Sequence, residues 1–313
     1  MRPAPPLVIL AGPTATGKTG LSIRLAEAIR DDGIPAEIIS ADSRQVYCGM
    51  DIGTAKVKPD DRTRVPHHGL DLVEPDEPFS VVDFVAHAEE ALARIAAIGG
   101  IGILVGGTGL YLRAVGRGLD TRALPHDPET RARIETQLIR DGIGASAGRL
   151  ATLAPALAAR TDLRNPRRVA RALELAELAG DALPPLPLGY AGPITWIGLD
   201  VDPDRHREWI AARARGQFDA GLVDEAQALR ERFDPALPAF SAIGYREAWA
   251  VLDGALTLEA AIELDTRRNL AFARRQRTWF RAEPGIDWLD VTNGDPLPSA
   301  LERVRSIALG GSS

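Results

Sequence analysis

The sequence predicts an α/β fold in which a parallel sheet is flanked by helices, with a helical insertion domain and a helical C-terminal part. Three observations predict it. A short apolar run, Leu7-Val8-Ile9-Leu10-Ala11, ends in a glycine loop and feeds Leu21, Leu25 and Ile29 at i, i+4 and i+8, the pattern of a buried strand followed by an amphipathic helix. Two further apolar runs, Ala36 to Ala41 and Ile101 to Val105, read as buried strands on either side of a helix-patterned segment. From about Leu119 to Leu183 the strand signal almost vanishes and Ala and Arg dominate.

The elements follow in order. After the second strand, Ser80 with Asp83 three residues on forms a capping box, and Val81, Phe84, Val85, Ala88, Leu92 and Ile95 keep helical spacing as far as Gly99-Gly100. Strand, helix, strand in this order favours parallel pairing through helical crossovers. The Ala/Arg-rich stretch ends in Pro184-Pro185-Leu186-Pro187-Leu188-Gly189, so residues 119–190 are expected to form the insertion and residues 1–118 with 191–313 the core. Ile194 to Val201 restores a strand. Asp202-Pro203 then supplies an N-cap with proline at the first helical position, and the rest of the chain reads as mostly helix.

Composition narrows the function. In 313 residues, 45% apolar and 26% charged, there is no apolar run long enough to span a bilayer, and Met1 to Pro6 lacks the charged and apolar regions of a secretory signal. A cytoplasmic address is expected, with no membrane partner. The single cysteine, Cys48, rules out an internal disulfide framework and a clustered-cysteine zinc site, and reads as a small, partly buried side chain. The net charge of −6 argues against a positively coated protein, so any contact with nucleic acid must come from local basic faces.

The most specific local motif is Gly12-Pro13-Thr14-Ala15-Thr16-Gly17-Lys18-Thr19, a complete G-x-x-x-x-G-K-[ST] phosphate loop (P-loop). Its glycines let the backbone wrap an anion, the following helix adds its positive end, Lys18 contributes a full charge, and the Thr19 hydroxyl can ligate Mg²⁺. An ordinary glycine turn is the alternative, and the phosphate chain held need not be a nucleotide's. Nucleotide hydrolases usually place a metal-holding acid at the end of a second apolar strand. Here Ile101 to Val105 runs into Gly106-Gly107-Thr108-Gly109 with no acid, and the acid comes earlier, at Asp42 after Ile38-Ile39-Ser40-Ala41. Strand C-termini of a parallel sheet share one edge, so Asp42 should neighbour the phosphates. Its local alternative is to cap the Ser43-Arg44-Gln45 turn.

Two basic faces can be read independently. Asn165 and Pro166 start a helix that would turn Val169, Leu173 and Ala176 inward and Arg167, Arg168 and Arg171 outward. Arg267, Arg274 and Arg281 recur every seven residues, with Arg268 and Arg275 one step round, and Trp279 and Phe280 interrupt this stripe with aromatic surface. Beside a phosphate loop, the two faces suit RNA backbone contacts, the alternative being solvated faces with both aromatics in the core. The histidines are scattered except His67-His68, which lack a third ligand nearby and read as structural.

Beyond these local readings, the chain resembles the tRNA dimethylallyltransferase (tRNA isopentenyltransferase) family. The resemblance rests on Gly12 to Thr19, on Asp42-Ser43-Arg44-Gln45-Val46-Tyr47 with Gly49-Met50-Asp51-Ile52-Gly53-Thr54-Ala55-Lys56, and on His67-His68, Asp76-Glu77-Pro78-Phe79-Ser80 and Gly106-Gly107-Thr108-Gly109-Leu110-Tyr111. It continues through Asn165-Pro166-Arg167-Arg168 with Arg171-Ala172-Leu173-Glu174, Ile243-Gly244-Tyr245, and Arg275-Gln276-Arg277-Thr278-Trp279-Phe280-Arg281.

The resemblance implies transfer of a dimethylallyl group from dimethylallyl diphosphate to N6 of the adenosine 3′ of the anticodon. In that reaction Gly12, Pro13, Thr14, Ala15, Thr16, Gly17, Lys18 and Thr19 would hold the diphosphate, with Mg²⁺ on Thr19. Asp42 would be the general base, Thr14 would contact the bridging oxygen, and Lys18 and Arg213 would face the diphosphate. Arg213 lies in a segment that departs from the family pattern at Gln217, where Met is common. The implied tRNA contacts are Asp42-Ser43-Arg44-Gln45, Thr108, Arg131, Arg167-Arg168-Val169-Ala170-Arg171, Ser241-Ala242-Ile243-Gly244-Tyr245-Arg246 and Arg274-Arg275-Gln276-Arg277-Thr278-Trp279-Phe280-Arg281. The partners expected are the tRNA anticodon stem-loop, whose target base must be extruded from its stack, and dimethylallyl diphosphate, with the protein acting as a monomer. Two other readings stand beside this one. A small-molecule kinase using ATP would lack its strand-end acid, and a non-catalytic RNA-binding protein would leave Asp42 without a task.

Overall fold

A computed structural model describes residues 4–121 and 123–309. The apolar runs become strands because both faces of the sheet are covered, so every side chain of Leu7–Ala11 (β1) is buried. The phosphate loop leads into α1 (Lys18–Asp31), and Ala36–Ser40 (β2) follows. Next come α2 (Pro59–Arg64), the two-residue β3 (His67–His68), α3 (Val81–Ala97), β4 (Ile101–Gly106) and α4 (Gly109–Gly116). The helical stretch holds α5 (Pro128–Leu153), α6 (Pro155–Ala159) and α7 (Pro166–Ala179). The chain then returns through β5 (Ile194–Asp200), α8 (Pro203–Asp219), α9 (Leu222–Arg232), α10 (Tyr245–Leu252), α11 (Leu258–Arg281), β6 (Asp287–Asp290) and α12 (Leu297–Leu309).

The caps read from the sequence are in place. Ser80 and Asp83 form a reciprocal capping box on α3. Asn165 accepts from Arg167 and Arg168 N–H at the start of α7, and Asp202 accepts from Asp204 and Arg205 N–H at the start of α8. Each satisfies backbone donors that a helix start otherwise leaves unpaired.

Residues 1–118 with 189–313 make one compact unit and residues 119–188 a second. In the first, the six strands pair in the order β3-β2-β4-β1-β5-β6, all parallel. One apolar cluster packs the sheet against α1 and α12 through Val8, Leu10, Leu25, Ile103, Ile197 and Val304. Another gathers Met50, Phe218, Leu222, Phe240, Tyr245 and Trp249 around α8 to α11. The second unit has its own core of Ile134, Leu150, Leu157, Val169 and Leu173, and α5 bends within it at Gly142, whose backbone leaves helical geometry (φ 81°, ψ 164°).

The C-terminal part is less purely helical than expected, because β6 pairs with β5 and closes one sheet edge while β3 pairs with Ile38 and Ile39 at the other. Neither announces itself in sequence. The first buries only Leu289 of its four residues, and the second is two half-buried histidines. Tyr245 and Phe280 are fully buried. The face a helix presents is chosen by what packs on it, and Phe280 lies inward rather than adding aromatic surface to the basic stripe.

One contact fixes the sheet edge that carries the site. At Gly106 a Cβ would lie 2.1 Å from the Ala41 carbonyl oxygen, so the ends of β4 and β2 meet only because this residue has no side chain. Gly106→Ala must push the two strand ends apart, and it is expected to destabilise the protein by about 1–3 kcal/mol. The urea midpoint measures this, and an unchanged midpoint would show that the strand ends separate freely.

Candidate active site

The phosphate loop leaves β1 through a backbone that most side chains disfavour. Ala15 and Gly17 both have left-handed φ, 61° and 78°. Among the described residues only Ala55 and Asp71 share that feature without being glycine. Gly17 caps α1 without any side-chain acceptor, so the first N–H groups of the helix face outward uncapped, the arrangement that receives an anion. Thr16 Oγ1 donates to Pro13 O at 2.9 Å and Lys18 Nζ to the same carbonyl at 2.6 Å, which folds the loop on itself.

Thr14 is held on three sides. Its N–H donates to Gln276 Oε1 of α11 at 2.8 Å, and its carbonyl accepts from His206 Nε2 of α8 at 2.8 Å. Its hydroxyl accepts from Arg213, also on α8, at 2.9 Å. Because a carbonyl accepts from Nε2, His206 carries its proton there, and its Nδ1 is free to accept from Arg277 at 3.3 Å. Burial lowers the pKa of this histidine, which keeps it in that neutral form.

Two cations meet at the loop with little to neutralise them. Burial pulls the Lys18 ammonium down to about 7, the neighbouring Arg213 charge pulls the same way, and Asp42 opposes both. Burial also lowers Arg213, against the pull of Asp42 and of Asp265. A guanidinium nevertheless stays charged, so the cradle always holds one cation beside an amine poised to gain a proton. An arriving diphosphate would supply the missing counter-charge.

Asp42 stands at the end of β2, beside this cluster. Its Oδ1 accepts from the Arg44 N–H at 2.8 Å, so it does cap its turn, and Oδ2 is left for another partner. The turn is pinned from the β4 side, where Thr108 Oγ1 accepts from Ser43 N–H at 3.0 Å. Arg44 and Gln45 differ from expectation because both side chains are used internally. Arg44 reaches Pro238 O and Ser241 Oγ at 2.9 and 2.7 Å, while Gln45 takes Ser40 Oγ and donates to Thr54 O.

For Mg²⁺, the residues present offer the exposed Thr19 hydroxyl, and no cluster of three or more His, Cys, Asp or Glu suited to a metal exists among the described residues. This donor set fits an ion held mainly by phosphate oxygens and water, as Mg²⁺ prefers.

The residues expected to meet RNA divide by exposure. Arg167, Arg168, Arg246, Arg274, Arg275 and Thr278 are exposed. The side chains of Val169, Ala170, Ala242, Tyr245, Gln276 and Phe280 are buried, so no surface contact is open to them. Tyr245 donates its hydroxyl to Glu225, and Trp279 lies half-buried under the Arg113 guanidinium, 4.4 Å from its ring centre. Arg277 bonds Val201 O, and Arg281 pairs with Asp200. Ser241 and Ile243 are half-buried beside Gly244, whose N–H is taken by Glu247. Within the second unit, Arg131 and Arg171 both reach the fully buried Glu174, at 3.4 and 2.7 Å.

Several residues take roles here that no sequence pattern assigns. Glu225 accepts three successive N–H groups, from Asp51, Ile52 and Gly53, at 2.7–3.1 Å. Gln217 donates to the Ile52 and Gly53 carbonyls, which gives its departure from the family pattern a structural use. Lys56 is buried between Asp51 and Asp71, at 2.6 Å from each. His206 carries no sequence pattern that marks it, and Gln276 is a residue that the resemblance places at RNA.

Comparison with known proteins identifies the family. A family model described as IPP transferase matches residues 45–283. The tRNA dimethylallyltransferase of Symbiobacterium thermophilum is 41% identical, covering 96% of this chain and 93% of that protein. Its Thermus thermophilus counterpart is 43% identical over 88% and 90%. The crystal structure of full-length tRNA isopentenylpyrophosphate transferase from Bacillus halodurans superposes with a TM-score of 0.70 at 38% identity, covering 96% of this chain and 95% of that one. A crystallographic structure of a eukaryotic dimethylallyltransferase acting on tRNA gives 0.77 at 25% identity, over 98% and 79%. None of these relatives lends support to the kinase or the non-catalytic reading. With a family model covering most of its length and relatives above 40% identity, the chain belongs to the IPP transferase family.

Proposed function

We propose that the chain transfers a dimethylallyl group from dimethylallyl diphosphate to N6 of the adenosine 3′ of the anticodon in tRNA. The observation that carries this reading is one sheet edge holding an anion cradle with two cations and a carboxylate with one oxygen free, while β4 ends in glycines instead of a metal-holding acid. As the allylic C–O bond breaks, negative charge collects on the leaving diphosphate. The α1 N–H groups, Lys18 and Arg213 are set to receive it without moving. Arg213 donates to the Thr14 oxygen, so the Thr14 hydroxyl hydrogen is free to reach the bridging oxygen. Mg²⁺, when bound through Thr19, supplies further neutralisation of the leaving group.

The C–N bond forms as the C–O bond breaks, and the N6 amine sheds one proton. Asp42 Oδ2 takes it, while the Arg44 N–H on Oδ1 fixes the carboxylate's orientation. RNA binding falls to the exposed arginines, Arg167 and Arg168 on α7 and Arg274 and Arg275 on α11, with Arg246 on α10. A substrate of this kind implies work in the cytoplasm, and no helix among the described residues is long and apolar enough to cross a membrane. Incubation with dimethylallyl diphosphate, Mg²⁺ and unmodified tRNA, followed by nucleoside mass analysis, tests the reaction. Unmodified adenosine throughout would refute it.

Three outcomes follow from these roles. Asp42→Asn keeps the turn-capping oxygen but not the proton acceptor, so single-turnover transfer should fall by roughly 10²–10⁴-fold while both substrates still bind. A normal rate at saturation would remove Asp42 from the mechanism. Charge reversal at Arg168 or Arg275 should weaken tRNA binding and flatten its salt dependence, with diphosphate affinity unchanged. Binding indifferent to both changes and to salt would make these solvated faces.

The third outcome concerns pH. The free cradle holds Lys18 near neutrality at about 7, whereas a bound diphosphate stabilises the ammonium and raises its pKa. Above pH 7 binding therefore takes up a proton, and affinity should fall by up to about tenfold per pH unit. Calorimetry of inorganic diphosphate binding at pH 8, in two buffers of different ionisation enthalpy, reads the uptake, which Lys18→Arg should abolish. Equal heats for the parent in both buffers would mean that Lys18 is already charged when free.

A further inference from the structure

Gln276 lies on the turn of α11 whose outward side chains are Arg274, Arg275 and Thr278, yet its own side chain is 7% exposed and points into the protein. Its amide spans two loops. Oε1 accepts the Thr14 N–H of the phosphate loop at 2.8 Å, and Nε2 donates to Gly107 O of the β4–α4 loop at 2.9 Å. Space for it is made by glycine, since a Cβ on Gly107 would lie 2.3 Å from Nε2. One turn further along the helix, a Cβ on Gly109 would lie 2.4 Å from the Trp279 ring.

The next residue, Arg277, bonds Val201 O at 3.1 Å and His206 Nδ1 at 3.3 Å, and His206 holds the Thr14 carbonyl. Consecutive residues of α11 thus fix both polar ends of Thr14. With its main chain set, the Thr14 side chain has few directions left, and Arg213 takes its oxygen in the one observed.

We propose that Gln276 is a positioning residue for the transfer reaction, which orients Thr14 toward the bridging oxygen of the diphosphate and makes no contact with RNA. This rests on the reaction proposed above. Gln276 touches no reacting atom and acts through the Thr14 peptide, so its loss misaims a hydroxyl and leaves the charge of the cradle intact. Misplacement on the scale of 1 Å near a reacting centre costs up to about 100-fold in rate.

The test uses the full-length protein and Gln276→Met, which keeps length and volume while removing both hydrogen bonds. Single-turnover transfer at saturating substrates should slow by about 10–100-fold, with tRNA affinity and its salt dependence unchanged. In a Thr14→Ala background the same substitution should cost less than about threefold, because the group it aims is already gone. Effects that multiply in full would assign Gln276 a general structural role and overturn the proposal. So would weakened tRNA binding with a normal rate at saturation, or no change at all.

Should Gln276→Met fail to fold, amide exchange in the parent decides. A Thr14 N–H protected well beyond its loop neighbours supports the clamp, and exchange as fast as theirs overturns it. Should the parent transfer no prenyl group, the reaction reading fails by itself. The clamp is then judged by that exchange and by inorganic diphosphate binding, which Gln276→Met should weaken by several-fold and which, unchanged, would count against it.

Discussion

The site depends on how one peptide unit is held. A phosphate loop works by keeping several main-chain N–H groups unpaired and aimed at an anion, a state that ordinary folding avoids because buried donors without partners are costly. Here the cost is confined by tying Thr14 at its N–H, its carbonyl and its hydroxyl to α8 and α11. The rest of the loop can then stay open. Without that tie the left-handed Ala15 and the uncapped start of α1 would have nothing to over-determine them. The cations belong to the same logic, because Lys18 and Arg213 repel each other, while Asp42 favours the charge of both and Asp265 that of Arg213. A polyanion bound in the loop would complete a balance that the free protein lacks.

Much of this was legible in the sequence because it is local. β1, the glycine loop and α1 are written in consecutive residues, and so are the caps at Ser80, Asn165 and Asp202, since each rests on groups two or three positions apart. Asp42 stands out by its place after an apolar run, and its turn-capping reading is what the geometry shows, with one oxygen on the Arg44 N–H and the other available to the proposed chemistry. What escaped was long-range. Gln276 meets Thr14 across 262 positions and Glu225 meets Ile52 across 173, distances over which no periodicity carries information. The stripe of arginines on α11 was read at the right spacing, but spacing cannot say which side the protein covers. Phe280 went to the core, Arg268 turned to the buried Glu247, and Arg281 turned to Asp200.

That pairing reconciles an acidic chain with an RNA substrate. Arg131 and Arg171 converge on Glu174, and Arg277 and Arg281 approach Asp200, so these acids order arginines as well as offsetting them. A guanidinium already held in place loses less freedom on meeting a phosphate than a free one does. Arg167, Arg168, Arg274 and Arg275 are exposed instead, and Arg275 lies over the Phe272 ring. Net charge describes neither group.

Gly107 lies in the β4–α4 loop and Gly109, two residues on, opens α4, while the side chains they admit, Gln276 and Trp279, are three apart on α11. The two spacings agree only because a helix brings positions three apart onto one side. The junction of the loop with α4 thus acts as a gauge for the pitch of α11. A residue inserted between Gln276 and Trp279 would swing the ring about 100° away from its glycine even if every contact upstream survived. A length change within that turn would therefore break the fit, however freely the residues on its outer face are exchanged.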